Sequence, residues 1–124
     1  MIVRELMKTP LIIDSNIDLN NASRLMTKHD IGSIIVMSKD KISGIITQED
    51  LVKNFGKGEM VYDVMSKNVV TIREDEEIAE AFKIVKKSKI SVLPVLDSKG
   101  NLVGVVNIKD LISGSEDGEE FIFN

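Results

Sequence analysis

The sequence has no cysteine, no tryptophan, one histidine and two prolines. Without cysteine there are no disulfides, thiolate zinc sites or cysteine nucleophiles. His29 alone supplies neither a histidine-rich metal cluster nor a Ser-His-Asp arrangement with a spare base. No metal site and no catalytic residue is therefore expected. Aromatic residues make up 4% of the chain, too few for a base-stacking platform. Lys and Arg total 16 against 20 Asp and Glu, a formal net charge of −4. That balance argues against a general nucleic-acid binder, which needs a basic face. No apolar run reaches the roughly 18 residues that span a bilayer. Met1 to Thr9 carries Arg4, Glu5 and Lys8 and lacks a signal-peptide core. The expectation is a soluble cytoplasmic protein. What is present fits one compact domain: 124 residues, 43% hydrophobic and 29% charged. The apolar fraction is too high for a disordered chain.

The chain repeats itself. Val3 to Val52 aligns with Val61 to Ile112. Met7 matches Met65 at an offset of 65 − 7 = 58, and Ile31 matches Ile90 at 90 − 31 = 59. Gly44 matches Gly104 and Asp50 matches Asp110, both at an offset of 60. The drift implies one-residue insertions near Asn68 and Gly100. Internal repetition of this kind resets the fold expectation.

Each half reads as a short helical lead-in followed by β-α-β-β-α. The lead-ins are Val3 to Met7 and Val61 to Met65. The first strands are expected at Leu11-Ile12-Ile13 and Val69-Val70-Thr71. Ile78, Ala81, Phe82 and Val85 then fall at i, i+3, i+4 and i+7, one face of an α-helix. Their counterparts are Leu19, Ala22, Ser23 and Met26. Ser15 with Asp18 resembles a capping box, and Asp75 is a candidate N-cap. Two strands follow in each half, Ser33 to Met37 with Lys41 to Ile46, and Val92 to Leu96 with Asn101 to Val106. Ser38-Lys39-Asp40 and Asp97-Ser98-Lys99-Gly100 are turn material between them. A last short helix begins at Thr47 or Asn107.

The fold class expected is α/β (α+β). Residues 1–56 form the first motif and 60–113 the second, joined as one module. They are expected to pack about a pseudo-twofold axis, because roughly 50 residues bury a sheet face and a helix stripe poorly alone. Residues 54–59 read as a polar linker and 114–124 as an acidic tail. The tail ends in Phe121-Ile122-Phe123, either solvated or docked on a groove or second subunit. Met7, Met26 and Met65 read as core. His29 reads as a surface or helix-end residue, with a phosphate contact as the alternative. Lys83, Lys86, Lys87 and Lys89 read as a solvated face and C-terminal turn.

The clearest motif is Gly44-Ile-Ile-Thr47-Gln-Glu-Asp50, repeated as Gly104-Val-Val-Asn107-Ile-Lys-Asp110. Both stand at a strand-to-helix junction. The glycine allows close backbone approach. One reading is structural: Thr-x-x-Asp and Asn-x-x-Asp cap a helix. The other is ligand binding. A helix start offers free N–H groups to phosphate, and an Asp carboxylate offers two acceptors to the vicinal hydroxyls of a ribose. The two readings are compatible.

With these residues in view, the chain resembles a tandem pair of cystathionine-β-synthase (CBS) domains over residues 3–112. The lead-in Met7 or Met65, the helix Ala22 or Ala81, and Ile90-Ser-Val-Leu-Pro94-Val-Leu-Asp97 with Gly100 carry the resemblance, together with the two junction motifs. Pro94 is expected at a strand edge or end. The resemblance implies a stand-alone regulatory module, not an enzyme, whose two motifs pack through their sheets. It implies two related clefts for AMP, ADP, ATP or S-adenosylmethionine, with no required cofactor. The first cleft would use Thr47 and Asp50 with Val69, Ile90 and Ser91. The second would use Asn107 and Asp110 with Leu11, Ile31 and Gly32. Two departures stand out. Where nucleotide-sensing relatives often place basic residues before the second strand, this chain has Gly32-Ser33 and Ser91-Val92, with Lys28, His29, Lys87 and Lys89 slightly earlier. Asn107 replaces the usual Ser or Thr, so the Thr47–Asp50 cleft ranks first. A homodimer is expected, with a regulated partner in another polypeptide. The alternative is a ligand-independent structural or dimerisation module; a small-molecule enzyme has only Asp, Thr and Lys in its favour.

Overall fold

The structure, a computed structural model, describes residues 1–14, 16–56 and 60–114. The helical stripe of the second repeat forms α4, Ile78–Ser88, and buries Ile78, Ala81, Phe82 and Val85. Its counterpart α1, Leu19–His29, buries Ala22 and Met26, while Ser23 is exposed. Both helices end in a left-handed residue, Asp30 at φ 52° and Lys89 at φ 54°. His29 is exposed in the last turn of α1. The strands are β1 (Ile12–Ile13), β2 (Ser33–Ser38), β3 (Lys41–Thr47), β4 (Ile72–Arg73), β5 (Val92–Leu96) and β6 (Leu102–Asn107). Short helices complete the order: α2 (Gln48–Lys53), α3 (Val61–Val64) and α5 (Ile108–Gly114). The first lead-in is a 3-10 turn, Val3–Glu5.

The helix starts depart from the cap motifs. Asp18 is itself the N-cap of α1, and its Oδ1 accepts from the Asn21 N–H at 2.7 Å. Ser15 lies outside the described residues, as do 57–59 of the linker and the Phe-Ile-Phe tail. α4 follows Glu77, which makes no side-chain cap bond, and Asp75 pairs with Arg73 at 3.2 Å instead. The Ile78 N–H donates to the Met1 carbonyl at 3.0 Å. A distant backbone thus satisfies the donor that a side chain was expected to take.

Two three-stranded sheets form, in the orders β1-β2-β3 and β4-β5-β6. In each the first pair is parallel and the second antiparallel. The parallel strands are joined through a helix, as such pairs require. The hairpin turn of the first sheet places Lys39 and Asp40 at φ 51° and 66°, the two positive values of a type I′ turn. In the second turn, Asp97 Oδ1 accepts from the N–H groups of Lys99 and Asn101, both at 2.9 Å. Gly100 there takes φ 85°.

The strand expected at Val69-Val70-Thr71 forms later, as β4, and proline gives the reason. In the first sheet the Ile35 N–H donates to the Leu11 carbonyl at 2.9 Å. The repeat places Pro94 at the equivalent position (35 + 59), and proline has no N–H to give. Pairing starts one step on, at Ile72↔Val95. Pro94 is therefore neither at an edge nor at an end: β5 is the central strand, and Pro94 faces Val105 in mid-strand. Val105 sends its own N–H to Lys8, at 2.9 Å. The β5–β6 ladder asks nothing of Pro94 at that step.

Packing groups the residues into two compact units. One contains Leu11–Val69; the other joins Met1–Pro10 to the residues from Val70 onward. In the first, Ala22, Met26, Ile34, Val36, Ile46, Val61 and Met65 form the core. In the second, Val3 packs with Ile78, Ala81, Phe82, Val85, Leu93, Val95, Val106 and Leu111. The amino-terminal segment is tied there by backbone bonds, Val3 N–H to Glu76 and Arg4 N–H to Glu74, both at 2.9 Å. Arg4 Nε also pairs with Glu74 at 2.9 Å. The two motif glycines accept methionines. A β-carbon on Gly44 would come within 2.5 Å of the Met65 sulfur, and one on Gly104 within 2.7 Å of the Met7 sulfur.

Candidate ligand-binding site

In the Leu11–Val69 unit, β3 ends at Thr47 and α2 begins at Gln48. Thr47 is extended, at φ −118° and ψ 166°, so its side chain faces the first turn. The Thr47 N–H and Oγ1 both donate to Asp50 Oδ2, at 2.9 and 3.0 Å. The Asp50 N–H donates back to Thr47 Oγ1 at 3.2 Å. This is a complete capping box, and it bears out the structural reading of the motif. Asp50 is half-buried and joins no ion pair among the described residues. Neighbouring Glu49 is taken by Lys53 at 2.9 Å, a hydrogen bond that raises the lysine above its ordinary pKa.

In the other unit, β6 ends at Asn107 and α5 begins at Ile108. Here the box is half made: Asn107 Oδ1 accepts from the Asp110 N–H at 2.9 Å. The Asp110 carboxylate is engaged elsewhere. Its Oδ1 lies 3.0 Å from Lys8 Nζ, and its Oδ2 is buried with no hydrogen-bond partner among the described residues. The Asp110 side chain as a whole is 20% exposed.

Lys8 reaches Asp110 because its backbone is fixed to β6. Lys8 and Val105 exchange hydrogen bonds at 2.8 and 2.9 Å. In the other unit Ser66 and Ile45 exchange the same pair, at 2.9 and 3.0 Å. Lys8 and Ser66 are thus equivalent, each following its motif methionine. Lys8 is not among the basic residues near the helix ends that the sequence singles out (Lys28, His29, Lys87 and Lys89). The signal was available: aligning Met7 with Met65 sets Lys8 opposite Ser66.

Leu11, Ile31, Gly32 and Val69 belong to the unit that holds Thr47 and Asp50, and Ile90 and Ser91 to the unit that holds Asn107 and Asp110. Within each unit the start of the second strand meets the junction: Gln48 N–H donates to Gly32 O at 3.0 Å, and Ile108 N–H to Ser91 O at 2.8 Å. Gly32 and Ser91 are exposed, and Leu11, Ile31, Val69 and Ile90 half-buried. Lys28, His29, Lys87 and Lys89 are exposed. An open groove of about 610 Å³ between β1 and α1 is lined by Ile12, Ile13, Arg24 and Leu25 and does not include Thr47 or Asp50. Among the described residues no group of three or more His, Asp or Glu is placed to hold a metal, and no helix is long and apolar enough to cross a membrane.

Comparison with known proteins places these junctions in context. A family model of the CBS domain matches residues 3–57 and 61–117. An inosine-5′-monophosphate dehydrogenase of Thermoplasma acidophilum is 41% identical over 92 residues, 74% of this chain and 19% of that protein. The uncharacterized protein MJ1426 of Methanocaldococcus jannaschii is 29% identical, with 90% of this chain and 89% of that protein covered. The chain spans 19%, 48% and 63% of the first three curated relatives it matches. Among solved structures, the CBS domain pair of protein MJ0100, in complex with 5′-methylthioadenosine and S-adenosyl-L-methionine, superposes with a TM-score of 0.82. It is 30% identical, covering 90% of this chain and 92% of that one. A CBS domain protein from Pyrobaculum aerophilum, 15% identical and fully covered, shares the fold with a TM-score of 0.83.

Proposed function

Because the chain belongs to the CBS domain family, we propose that it is a non-catalytic regulatory module for adenosine-type ligands. The observation that carries this reading is the junction itself, built twice with an Asp one turn into a helix. Each Asp offers the two acceptor oxygens that a ribose diol needs. The apolar strand residues beside it suit the face of an adenine. Support for the ligand class comes from the MJ0100 pair and its two adenosine compounds. The Thr47–Asp50 junction is the first site, with Thr47 and Asp50 as polar contacts. Asn107 and Asp110 form the second.

Regulation follows from linkage. A bound ligand shifts a partner's equilibrium only by its differential affinity for the two states of the module. The regulated protein and the direction of control belong to that partner. The Thr47 hydroxyl and the Asp50 carboxylate are spent on closing a capping box, and no turnover is proposed.

Isothermal titration with 5′-methylthioadenosine, S-adenosylmethionine, AMP and ATP tests the reading. Saturable heat with at least one of them is expected, and Asp50→Ala should remove the binding event at the first junction. Absence of heat and of thermal shift with all four at millimolar ligand refutes it. A ligand-independent dimerisation role is the second reading, favoured by Val52 and Phe55 at 76% and 89% exposure near the end of α2. A dimer in light scattering that Phe55→Asp dissociates, indifferent to all four ligands, decides for it.

A further inference from the structure

The two junctions share a backbone and differ in charge. At the first, Glu49 and Asp50 stand in the opening turn and Ser66 occupies the bridging position. At the second, Lys109 replaces Glu49 in the repeat and Lys8 occupies the bridging position. Counting Glu49, Asp50 and Lys53 gives −1 − 1 + 1 = −1 at the first junction. Counting Lys8, Lys109 and Asp110 gives +1 + 1 − 1 = +1 at the second.

We propose that Lys8 makes the Asn107–Asp110 junction the site for a phosphorylated nucleoside, while the Thr47–Asp50 junction takes an uncharged or cationic one. The assignment rests on the adenosine-ligand reading above and divides that ligand class between the two sites.

Three observations support it. Lys8 is fixed by its backbone, and its side chain, 67% exposed, meets Asp110 at 3.0 Å. An ammonium carries three donors, and the Asp110 contact at 3.0 Å uses one. A hydroxyl bonded to Asp110 would lie within roughly 6 Å of that ammonium, close enough for a phosphate ester on the same sugar. Second, Asp110 Oδ2 is buried and makes no hydrogen bond among the described residues, which leaves an acceptor for a donor such as a ribose hydroxyl. Third, Asp50 has no ion pair among the described residues. Lys53 acts on Asp50 only from a distance and is itself bonded to Glu49. A phosphate at that junction therefore meets a net negative charge that repels it, a repulsion that a neutral nucleoside or a sulfonium does not feel.

The test compares AMP with adenosine by isothermal titration. Lys8→Gln keeps the backbone bridge and removes the charge. In an Asp50→Ala background, where the second junction alone reports, AMP affinity should fall about fivefold while adenosine affinity changes less than twofold. Added salt should weaken AMP binding in the parent and leave Lys8→Gln nearly unaffected. Ser66→Lys in an Asp110→Ala background should raise AMP affinity at the first junction by a similar factor. If Asp50→Ala fails to fold, amide shifts of residues 107–112 against 47–52 in the otherwise unmodified chain show which junction takes each ligand.

An unchanged AMP-to-adenosine ratio in Lys8→Gln, or AMP shifts confined to residues 47–52, overturns the proposal and leaves the ligand reading standing. Equal losses for both ligands also overturn it, since Lys8 would then be structural. No binding of either compound to the parent protein overturns the ligand reading itself, and the division of ligands with it.

Discussion

Asp50→Asn separates the capping role of the first junction from its ligand role. Without ligand, both Thr47 donors end on a single oxygen, Oδ2, at 2.9 and 3.0 Å. A carboxamide oxygen in that place still accepts both, and the Thr47 cap to the Asp50 N–H is untouched. The stability loss should stay within about 1 kcal/mol, a fall in Tm of up to roughly 4 °C for a chain this size. A ribose diol is more demanding, because it presents two donors to two acceptors. The amide replaces one acceptor with an NH2 donor and removes the charge. Losing one charge-assisted hydrogen bond is worth about 1.5–3 kcal/mol. At about 1.4 kcal/mol per decade, affinity should drop roughly 10- to 150-fold. Thr47→Ala should show the opposite weighting: it keeps the diol acceptors and loses the cap, at about 1 kcal/mol of stability. Thermal melts of the free protein, set beside titrations with 5′-methylthioadenosine, read both quantities. Wild-type affinity in Asp50→Asn would refute the assignment of Asp50 to the ribose. A melt that collapses without ligand would show that the carboxylate is structural.

Other expectations follow from the packing. Leu93 is fully buried in the core of its unit, so Leu93→Ala should cost about 2–5 kcal/mol in urea unfolding. A loss below about 1 kcal/mol would mean that this core is not packed as described. Gly44→Ala drives a β-carbon into Met65, itself 5% exposed, and should cost about 1–3 kcal/mol. Met65→Ala in the same chain should recover part of that loss in a double-mutant cycle; strict additivity would speak against the contact. Asp97 is held below the usual carboxylate range, first by the Asn101 N–H and also by the Lys99 N–H. Its folded pKa is depressed, so its contribution is present above the unfolded value of about 3.9 and fades as pH falls through the folded one. The stability gap between wild type and Asp97→Ala should therefore narrow below about pH 4; a gap that widens on acidification would reverse the sign of this argument.

Much of the fold was legible because it is local. The stripe Ile78, Ala81, Phe82 and Val85 declares a helix by its spacing alone, and the four residues are buried as a set. Strand and turn boundaries at Lys39-Asp40 and Asp97 to Gly100 came from residues that favour such turns. The misreadings share one cause. Asp75 and the Val69-Val70-Thr71 strand are sound local choices that distant partners overrule. Met1 supplies the acceptor at the start of α4, and Pro94 withholds the donor that would have begun β4 earlier.

The sequence by itself determined the twofold repeat, the amphipathic helices and the Thr-x-x-Asp and Asn-x-x-Asp junctions, because each is written within a few residues. It also recorded the charge difference between Glu49 and Lys109, without saying what those charges face. Only the tertiary structure decided that Met1–Pro10 joins the later residues, seating Met7 on Gly104 and Lys8 on Asp110. Those contacts pair residues about a hundred positions apart, through backbone bonds that no local pattern encodes. The same fold therefore leaves one junction closed on itself through Thr47 and the other drawn open by a lysine.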